Sequence, residues 1–189
     1  MRSSLQTRPG SRCVALLRGI NVGGNNSLPM KDLTAIFQKA GCEDVKTYIQ
    51  SGNVIFRAPS QLMATLGSEV TSRITQQFGI QVPVVLRSRE ELDSAIRNNP
   101  FAKTTPDENF LYVMFLADEP DTDGISKLDP QRSPPDEFIV RSREIYLHLP
   151  NGAGRSKLTN SWFDSRLKTV STSRNWRTVL KLYELTGPE

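Results

Sequence analysis

The amino-acid sequence predicts an α+β fold made of two subdomains with mainly antiparallel sheets. The order of predicted elements in the N-terminal half is β-α-β-β-α-β, which is the order of a ferredoxin-like unit. The C-terminal half repeats most of this order. The composition is that of a folded chain, because 37% of the 189 residues are hydrophobic and 23% are charged. We therefore expect a mobile tail at residues 1–10, a first ferredoxin-like subdomain at 11–87 and a second at 88–189.

Short apolar runs and their spacing define the elements of the first subdomain. Leu33 to Ala40 contains apolar residues at the i, i+3, i+4 and i+7 positions of one helical face, and Gly41 then ends the helix. The Ser51-Gly52-Asn53 tripeptide predicts a hairpin turn, and Pro83 favours a sheet edge or a strand start. The predicted strands cover residues 13–17, 45–50, 54–57 and 82–86, and the predicted helices cover 29–40 and 62–78.

The second subdomain contains the strongest predicted strand of the chain, FLYVMFLA at residues 110–117. Apolar residues recur at helical spacing from Trp176 onward. We therefore expect a helix in place of the final strand, so that two helices close the chain as a C-terminal helical extension. The predicted helices cover residues 89–97, a short segment near 125–128, 157–167 and 174–185, and the remaining strands cover 137–140 and 145–149.

Four segments of the chain are distinctive, and they occur in the order ALLRGINVGGNNSLPMKDL, VKTYIQSGNVIF, SKLTNSWFD and STSRNWRTVLKLYEL. Together they resemble a bacterial family catalogued as domain of unknown function 1697. The resemblance extends from about residue 12 to about residue 185. It implies a soluble fold with two ferredoxin-like subdomains, in agreement with the predicted elements, and it implies no activity.

The polar residues of these segments are rich in hydrogen-bond donors and poor in general bases. Gly23 and Gly24 allow the backbone amides of the first loop to turn outward, because glycine tolerates a positive φ. The helix start near Pro29 adds unpaired N–H groups, and Arg18 adds a guanidinium fork. This pattern is typical of anion binding, although the loop matches neither the dinucleotide nor the Walker fingerprint. A simpler alternative is that the asparagines of the loop only stabilise a turn.

Two basic residues of the C-terminal segments are predicted in the first turns of helices. A cation there opposes the helix dipole, at a cost of about 0.3–1 kcal/mol. We therefore expect Lys157 and Arg174 to meet Arg18 in a cleft between the subdomains, where one anion contacts all three. The alternative is that the serines beside them are ordinary N-caps. The complete ligand-binding hypothesis covers Arg18, Asn21, Gly23, Gly24, Asn25, Lys31, Gln50, Ser51, Asn53, Ser156, Lys157, Arg174 and Asn175.

Charge is distributed unevenly along the chain. Residues 87–137 contain six Lys/Arg and twelve Asp/Glu, whereas residues 151–182 contain seven Lys/Arg and one acid, Asp164. The basic segment either meets an anionic partner or balances the acidic one within the fold. Asp164 is expected to be solvated, and the single histidine, His148, to be structural. Because the sequence contains no paired carboxylates, no Ser-His-Asp set and no metal-ligand spacing, catalytic residues and cofactors remain unassigned.

These observations favour a cytoplasmic anion-binding module whose ligand is a nucleotide, a nucleic acid or a phosphometabolite. Cys13 and Cys42 are expected to be buried thiols of a reducing compartment, and no apolar run reaches the length of a membrane span. RNA-binding sheets of this fold display aromatic residues in an RNP pattern, which the sequence lacks. One alternative is a phosphoryl-transfer or phosphate-ester enzyme that uses Mg²⁺. The other is a structural or partner-binding protein whose motifs lock the subdomains together, and the oligomeric state is left open.

Overall fold

The computed structural model describes residues 12–23, 26–105 and 107–187. The tail predicted at residues 1–10 lies outside these ranges, and so do two predicted site residues, Gly24 and Asn25. Within the ranges, the chain forms two four-stranded antiparallel sheets and six α-helices. The predicted α+β fold is therefore confirmed, whereas the division of the chain at residues 87 and 88 stays a prediction.

The first lobe contains β1 (Arg12–Leu17), α1 (Met30–Lys39), β2 (Glu43–Tyr48), β3 (Asn53–Arg57), α2 (Ser60–Phe78) and β4 (Val84–Ser88). Its strands lie in the order β2-β3-β1-β4, which is the ferredoxin-like arrangement. β4 lies at the sheet edge and begins directly after Pro83, as the proline predicts. α1 and α2 cover one face of this sheet, and their contact buries Phe37, Leu66 and Val70 against Phe56 of β3.

The second lobe contains β5 (Leu111–Leu116), α4 (Thr122–Ser126), β6 (Glu137–Arg141), β7 (Glu144–His148), α5 (Asn160–Leu167) and β8 (Ser171–Asn175). Its strand order, β6-β7-β5-β8, is equivalent to that of the first lobe. The prediction that a helix replaces the final strand is wrong, because β8 is present and pairs with β5. The sequence of β8, STSRN, contains no apolar residue, so hydrophobic alternation gives no sign of a strand.

Each lobe ends in a helix that begins directly after its last strand. α3 (Arg89–Arg97) follows β4, and α6 (Trp176–Leu185) follows β8. Ser88 caps α3 and Asn175 caps α6, and each side-chain oxygen accepts a hydrogen bond from the third helical amide, at 3.2 and 2.8 Å. The predicted C-terminal extension is therefore the counterpart of α3.

An apolar core between the two sheets joins the lobes. It contains residues from the inner face of each sheet, such as Val14 and Phe115, and residues from α3 and α6, such as Leu92 and Trp176. The outer face of the second sheet is covered by α5 in a separate core around Phe163. Both faces of each sheet are therefore buried, and the edges and ends of the strands remain to form a site.

The two lobes also match at the level of strand register. The pairs Val14–Arg87 and Leu16–Asn53 of the first lobe correspond to Val113–Arg174 and Phe115–Glu144 of the second. Arg87 and Arg174 therefore occupy equivalent positions on the last strands of their lobes. Asn53 and Glu144 are equivalent in the same sense, since each begins the third strand of its lobe.

Candidate functional site

Arg174 joins the two lobes through a buried guanidinium group. The residue lies on β8 and is 8% exposed. Its Nε donates to Asn53 Oδ1 at 2.6 Å, and its Nη2 donates to the carbonyl of Leu17 at 2.7 Å. Its other acceptors are the carbonyl oxygens of Ser51, Gly52 and Ser173 and the hydroxyl of Thr172, at 2.8–3.3 Å. All five N–H groups of the side chain are therefore engaged.

Arg87 makes the reciprocal contact from the first lobe. It is fully buried on β4, and its Nη2 donates to the carbonyls of Leu116 and Arg143 at 2.7 and 3.0 Å. These acceptors lie at the end of β5 and in the β6–β7 turn, which are the positions equivalent to the acceptors of Arg174 in the first lobe. The Nε of Arg87 donates to Glu144 Oε1 at 3.0 Å and completes an ion pair. Each lobe thus inserts one arginine into the other.

The amide of Asn53 is oriented by its own hydrogen bonds. Its Nδ2 donates to the carbonyl of Tyr48 at 3.2 Å and to Ser51 Oγ at 3.1 Å. These two acceptors fix the nitrogen, so the Oδ1 atom faces Arg174. Asn53 is fully buried, and it holds the β2–β3 turn together while it accepts from the other lobe.

The two equivalent arginines differ in their counter-charge. Glu144 supplies a carboxylate to Arg87, whereas Arg174 meets the neutral amide of Asn53. Within the described ranges Arg174 forms no ion pair. Burial lowers the pKa of Arg174 to about 10, which is still far above neutral, so the side chain carries its charge at physiological pH.

A cleft of about 590 Å³ opens between the lobes beside Arg174. Four residues of the predicted set line it, namely Arg18, Ser51, Arg174 and Asn175. The other lining residues include the polar Tyr112, Asn160, Thr172 and Thr178 and the apolar Ile20, Val22 and Ile49. Among the residues that the structure describes, no acidic side chain lines this cleft. Its walls therefore carry two cations and no anion.

Arg18 extends from the end of β1 to the second lobe. Its Nη1 contacts a carboxylate oxygen of Asp164 and donates to the Ser171 carbonyl at 3.0 Å. Asp164 also accepts from Ser171 Oγ at 2.5 Å and is only 17% exposed, so the expectation of a solvated Asp164 is wrong. The Nε and Nη2 groups of Arg18 donate to no residue of the described chain, and the side chain is 32% exposed.

The loop that follows Arg18 is closed by the side chain of Asn21. Its Oδ1 accepts from Leu28 N at 2.8 Å, and its Nδ2 donates to the carbonyls of Leu28 and Gln50 at 3.0 Å each. The loop is thereby fastened to the β2–β3 turn. Asn21 and Gly23 have φ angles of 54° and 57°, in the left-handed region that glycine favours. Asn21 and Gln50 therefore contribute to the cleft by holding together the loop and the β2–β3 turn, both of which line it.

Seven described residues of the predicted set do not line the cleft, namely Asn21, Gly23, Lys31, Gln50, Asn53, Ser156 and Lys157. Lys31 is exposed on the first turn of α1. Ser156 and Lys157 precede α5, whose N-cap is Thr159, so Lys157 does not lie in a first helical turn. Arg174 lies on a strand. The prediction that Lys157 and Arg174 lie in first helical turns, where they would oppose a helix dipole, is therefore wrong.

The predicted set omits four residues that contact the two arginines or each other at the cleft. Asp164 and Ser171 bind Arg18, Thr172 accepts from Arg174, and Asn160 donates to Ser171 Oγ at 2.8 Å. All four lie in the distinctive segments SKLTNSWFD and STSRN, which are the sequence signals that mark them.

Some arrangements are absent from the described part of the chain. No group of three or more His, Cys, Asp or Glu side chains is placed to hold a metal ion. None of its helices combines the length and apolarity needed to cross a bilayer. Cys13 and Cys42 are both buried.

The chain has a structural relative and a recognisable family. Its fold is similar to that of the conserved bacterial protein SP0830 from Streptococcus pneumoniae, with a TM-score of 0.67 and 24% sequence identity. That match covers 94% of this chain and 99% of the other, and at this identity it shows the fold alone. No curated protein matches the chain. A family model described as "Protein of unknown function (DUF1697)" matches residues 11–146, which is well over half of the sequence. The chain therefore belongs to the DUF1697 family, as the resemblance of its distinctive segments predicts.

Proposed function

We propose that this protein binds a phosphate-bearing small molecule, such as a nucleotide or a phosphometabolite, in the cleft between its lobes. The observation that carries the proposal is the unequal counter-charge of two equivalent arginines. Arg87 pairs with Glu144, whereas Arg174 donates to the neutral amide of Asn53. Arg174 also lines a cleft, and none of the described residues that line this cleft is acidic. An anion in this cleft would supply the negative charge that Glu144 supplies to Arg87.

The charge of Arg174 is large enough to matter for affinity. Neutral oxygens satisfy its N–H groups, but they leave its unit charge uncompensated. At an effective dielectric constant of about 20, a phosphate charge roughly 5–6 Å from the guanidinium gains about 3 kcal/mol. Since about 1.4 kcal/mol corresponds to a tenfold change in affinity, this attraction is equivalent to about 100-fold.

Arg18 provides the direct contacts in this proposal. The N–H groups of Arg174 are engaged, so Arg174 attracts the ligand through its charge alone. Arg18 lines the same cleft and keeps two groups, Nε and Nη2, without an acceptor in the described chain. Asp164 neutralises Arg18 and fixes its direction. The site thus combines one uncompensated charge with one oriented fork, which suits a phosphate group.

The size of the cleft favours a small molecule over a nucleic acid. Its volume of about 590 Å³ lies in the usual range for small-molecule sites. Ferredoxin-like domains that bind RNA stack bases on an open sheet face. Here both faces of each sheet are buried in the three apolar cores. A nucleotide or a phosphometabolite therefore fits the proposal better than a polynucleotide.

Binding is also favoured over phosphoryl transfer. An enzyme of that class needs carboxylates that hold Mg²⁺ beside the phosphate. The carboxylate that meets Arg18, Asp164, is already engaged by Arg18 and Ser171. The lobe-locking contacts of Arg174 are compatible with binding, because the same contacts hold the walls of the cleft in place.

We place the protein in the cytoplasm as part of the same proposal. Cys42 is a buried free thiol, which suits a reducing compartment. Cell fractionation with an antibody against the protein checks this location, and recovery in an extracytoplasmic fraction would contradict it.

Thermal denaturation with inorganic diphosphate and a nucleotide panel at low ionic strength tests the binding proposal. We expect stabilisation of the wild type, since a ligand at 100 times its Kd adds about 2.7 kcal/mol to the free energy of unfolding. Arg18→Ala should lose most of the shift. Arg57→Ala is the matched control, because Arg57 is also partly exposed and paired with a carboxylate, Asp44, but lies at the opposite end of β3 from Asn53.

Asn53→Asp tests the counter-charge directly. This variant places a carboxylate beside Arg174, as Glu144 is placed beside Arg87, so we expect anion affinity to fall about tenfold or more. Its melting temperature without ligand reports whether the fold is retained. Unchanged affinity in both Arg18→Ala and Asn53→Asp, or no stabilisation of the wild type by any polyanion, would contradict the proposal.

A further inference from the structure

We infer that the ligand is a nucleoside diphosphate joined to a sugar, and that the sugar occupies a second cleft on the other side of Arg18. This inference rests on the proposed function, because it assigns the diphosphate to the same arginine. The second cleft has a volume of about 830 Å³. Arg18 and Gly19 line both clefts, so the two spaces adjoin at the residue that is proposed to hold the phosphates.

The walls of the second cleft suit an uncharged group with many hydroxyls. Its uncharged polar lining consists of Ser68, Thr71, Ser72, Thr75 and Gln76 of α2, together with Asn26 and Gln81. Arg18 is the one charged residue that lines it within the described chain. The side chains of Ser72, Gln76 and Gln81 make no hydrogen bond to the residues that the structure describes. Hydroxyl and amide groups both donate and accept, which matches the hydroxyls of a sugar.

The first cleft has a different character, which suits a planar base. Val22 and Ile49 line it and are 62% and 51% exposed, although both are large apolar side chains. Tyr112 of β5 in the second lobe lines the same cleft. An aromatic base would remove the apolar groups from water and pack on the ring. The two clefts therefore recognise unlike groups on either side of one arginine.

Each cleft alone has the volume of a small-molecule site. A mononucleotide would fill the first cleft and leave the second to water. A sugar attached to the diphosphate would add two or three hydrogen bonds in the second cleft, which we expect to be equivalent to about tenfold in affinity.

Isothermal titration calorimetry with two matched pairs of probes, UDP with UDP-glucose and ADP with ADP-ribose, tests this inference. In at least one pair we expect the sugar conjugate to bind the wild type about tenfold more tightly than the parent diphosphate. Ser72→Trp should abolish this difference and leave diphosphate affinity unchanged, because Ser72 is exposed on α2 and lines only the second cleft. Gln77→Trp is the control, since Gln77 is exposed on the same helix but does not line that cleft.

The outcomes separate the two proposals. Equal affinities within both pairs, or an advantage of the conjugate that survives in Ser72→Trp, would overturn the inference and leave the proposed function intact. If no nucleoside diphosphate and no conjugate binds the wild type, the inference fails. The proposed function fails with it only if inorganic diphosphate and the nucleotide panel also give no stabilisation in thermal denaturation.

Discussion

Replacing Gly52 with alanine tests the packing of the turn that accepts hydrogen bonds from Arg174. Gly52 is buried in the β2–β3 turn with a φ of +78°. Its carbonyl accepts from Leu17 N at 2.8 Å and from Arg174 Nη2 at 3.2 Å. A Cβ atom added here would lie 2.8 Å from Leu17 Cβ and 3.1 Å from two carbons of Ile20. The alanine therefore meets an unfavourable backbone conformation and a collision at once.

The two costs are separable in magnitude. A left-handed backbone costs a residue other than glycine about 1–2 kcal/mol. Overpacking of a tight site adds about 1–3 kcal/mol. We expect Gly52→Ala to lower the free energy of unfolding by about 2–5 kcal/mol. Gly19→Ala is the matched control, because its φ is +70° but no described atom lies within 4 Å of the added Cβ, so only the backbone cost remains.

Urea denaturation followed by tryptophan fluorescence measures both variants. Trp162 and Trp176 are buried in two different cores, so the signal reports on both lobes. The difference between Gly52→Ala and Gly19→Ala isolates the collision, since both glycines have similar φ angles. Equal losses in the two variants, or a loss below about 1 kcal/mol for Gly52→Ala, would refute the reasoning, because they would mean that the turn moves away from β1 at little cost.

Three further predictions concern the ion pair, the thiols and the excluded lysine. Arg87→Met should lower the free energy of unfolding by about 3–5 kcal/mol at about pH 7. The loss should be smaller at about pH 4. Burial raises the pKa of Glu144, so the stranded carboxyl of the folded variant takes up a proton more readily than that of the unfolded chain as the pH falls. Urea titrations at the two pH values check this, and equal losses would contradict it. Burial raises the pKa of Cys13 and Cys42 to about 11, so iodoacetamide at about pH 8 should modify these thiols only after the protein unfolds. Mass spectrometry of native and urea-treated protein counts the modified thiols. Rapid modification of the native protein would contradict the burial of these two side chains. Lys157→Ala should leave diphosphate affinity in calorimetry unchanged, because Lys157 is exposed and lines neither cleft. A clear loss of affinity would show that Lys157 takes part in binding.

The elements with apolar periodicity were predictable from the sequence, and β8 was not. Helices such as α1 and α6 have a continuous apolar face, which the i, i+3, i+4 spacing reveals. β8 is buried for another reason. Thr172 and Arg174 donate to the carbonyl of Leu17 across the lobe interface, and the carbonyl of Ser171 accepts from Arg18. The partners of such a strand lie more than 100 positions away in the sequence. No local pattern contains that information.

The distinctive segments identified several residues of the candidate site, but the physical reason given for them was partly incorrect. The sequence predicts Arg174 as a cation that opposes a helix dipole, whereas it is a buried strand residue that holds the two lobes together. The same argument predicts Lys157 as a ligand-binding residue, but Lys157 lies outside the cleft. The pairing of Arg18 with Asp164 was not predictable, since it joins residues 146 positions apart. Only the assembled fold shows which donors are already occupied.

The reciprocal insertion of one arginine from each lobe has the geometry of a two-fold axis. In a symmetric dimer of identical subunits, every contact across the axis occurs twice with the same residues. In such a dimer, a carboxylate beside the arginine of one subunit would also lie beside the arginine of the other. A single polypeptide removes this constraint, because Asn53 and Glu144 are independent positions. Both contacts fasten the lobes, but the first contains its own counter-charge and the second does not. Identical subunits could not make the two copies differ in this way.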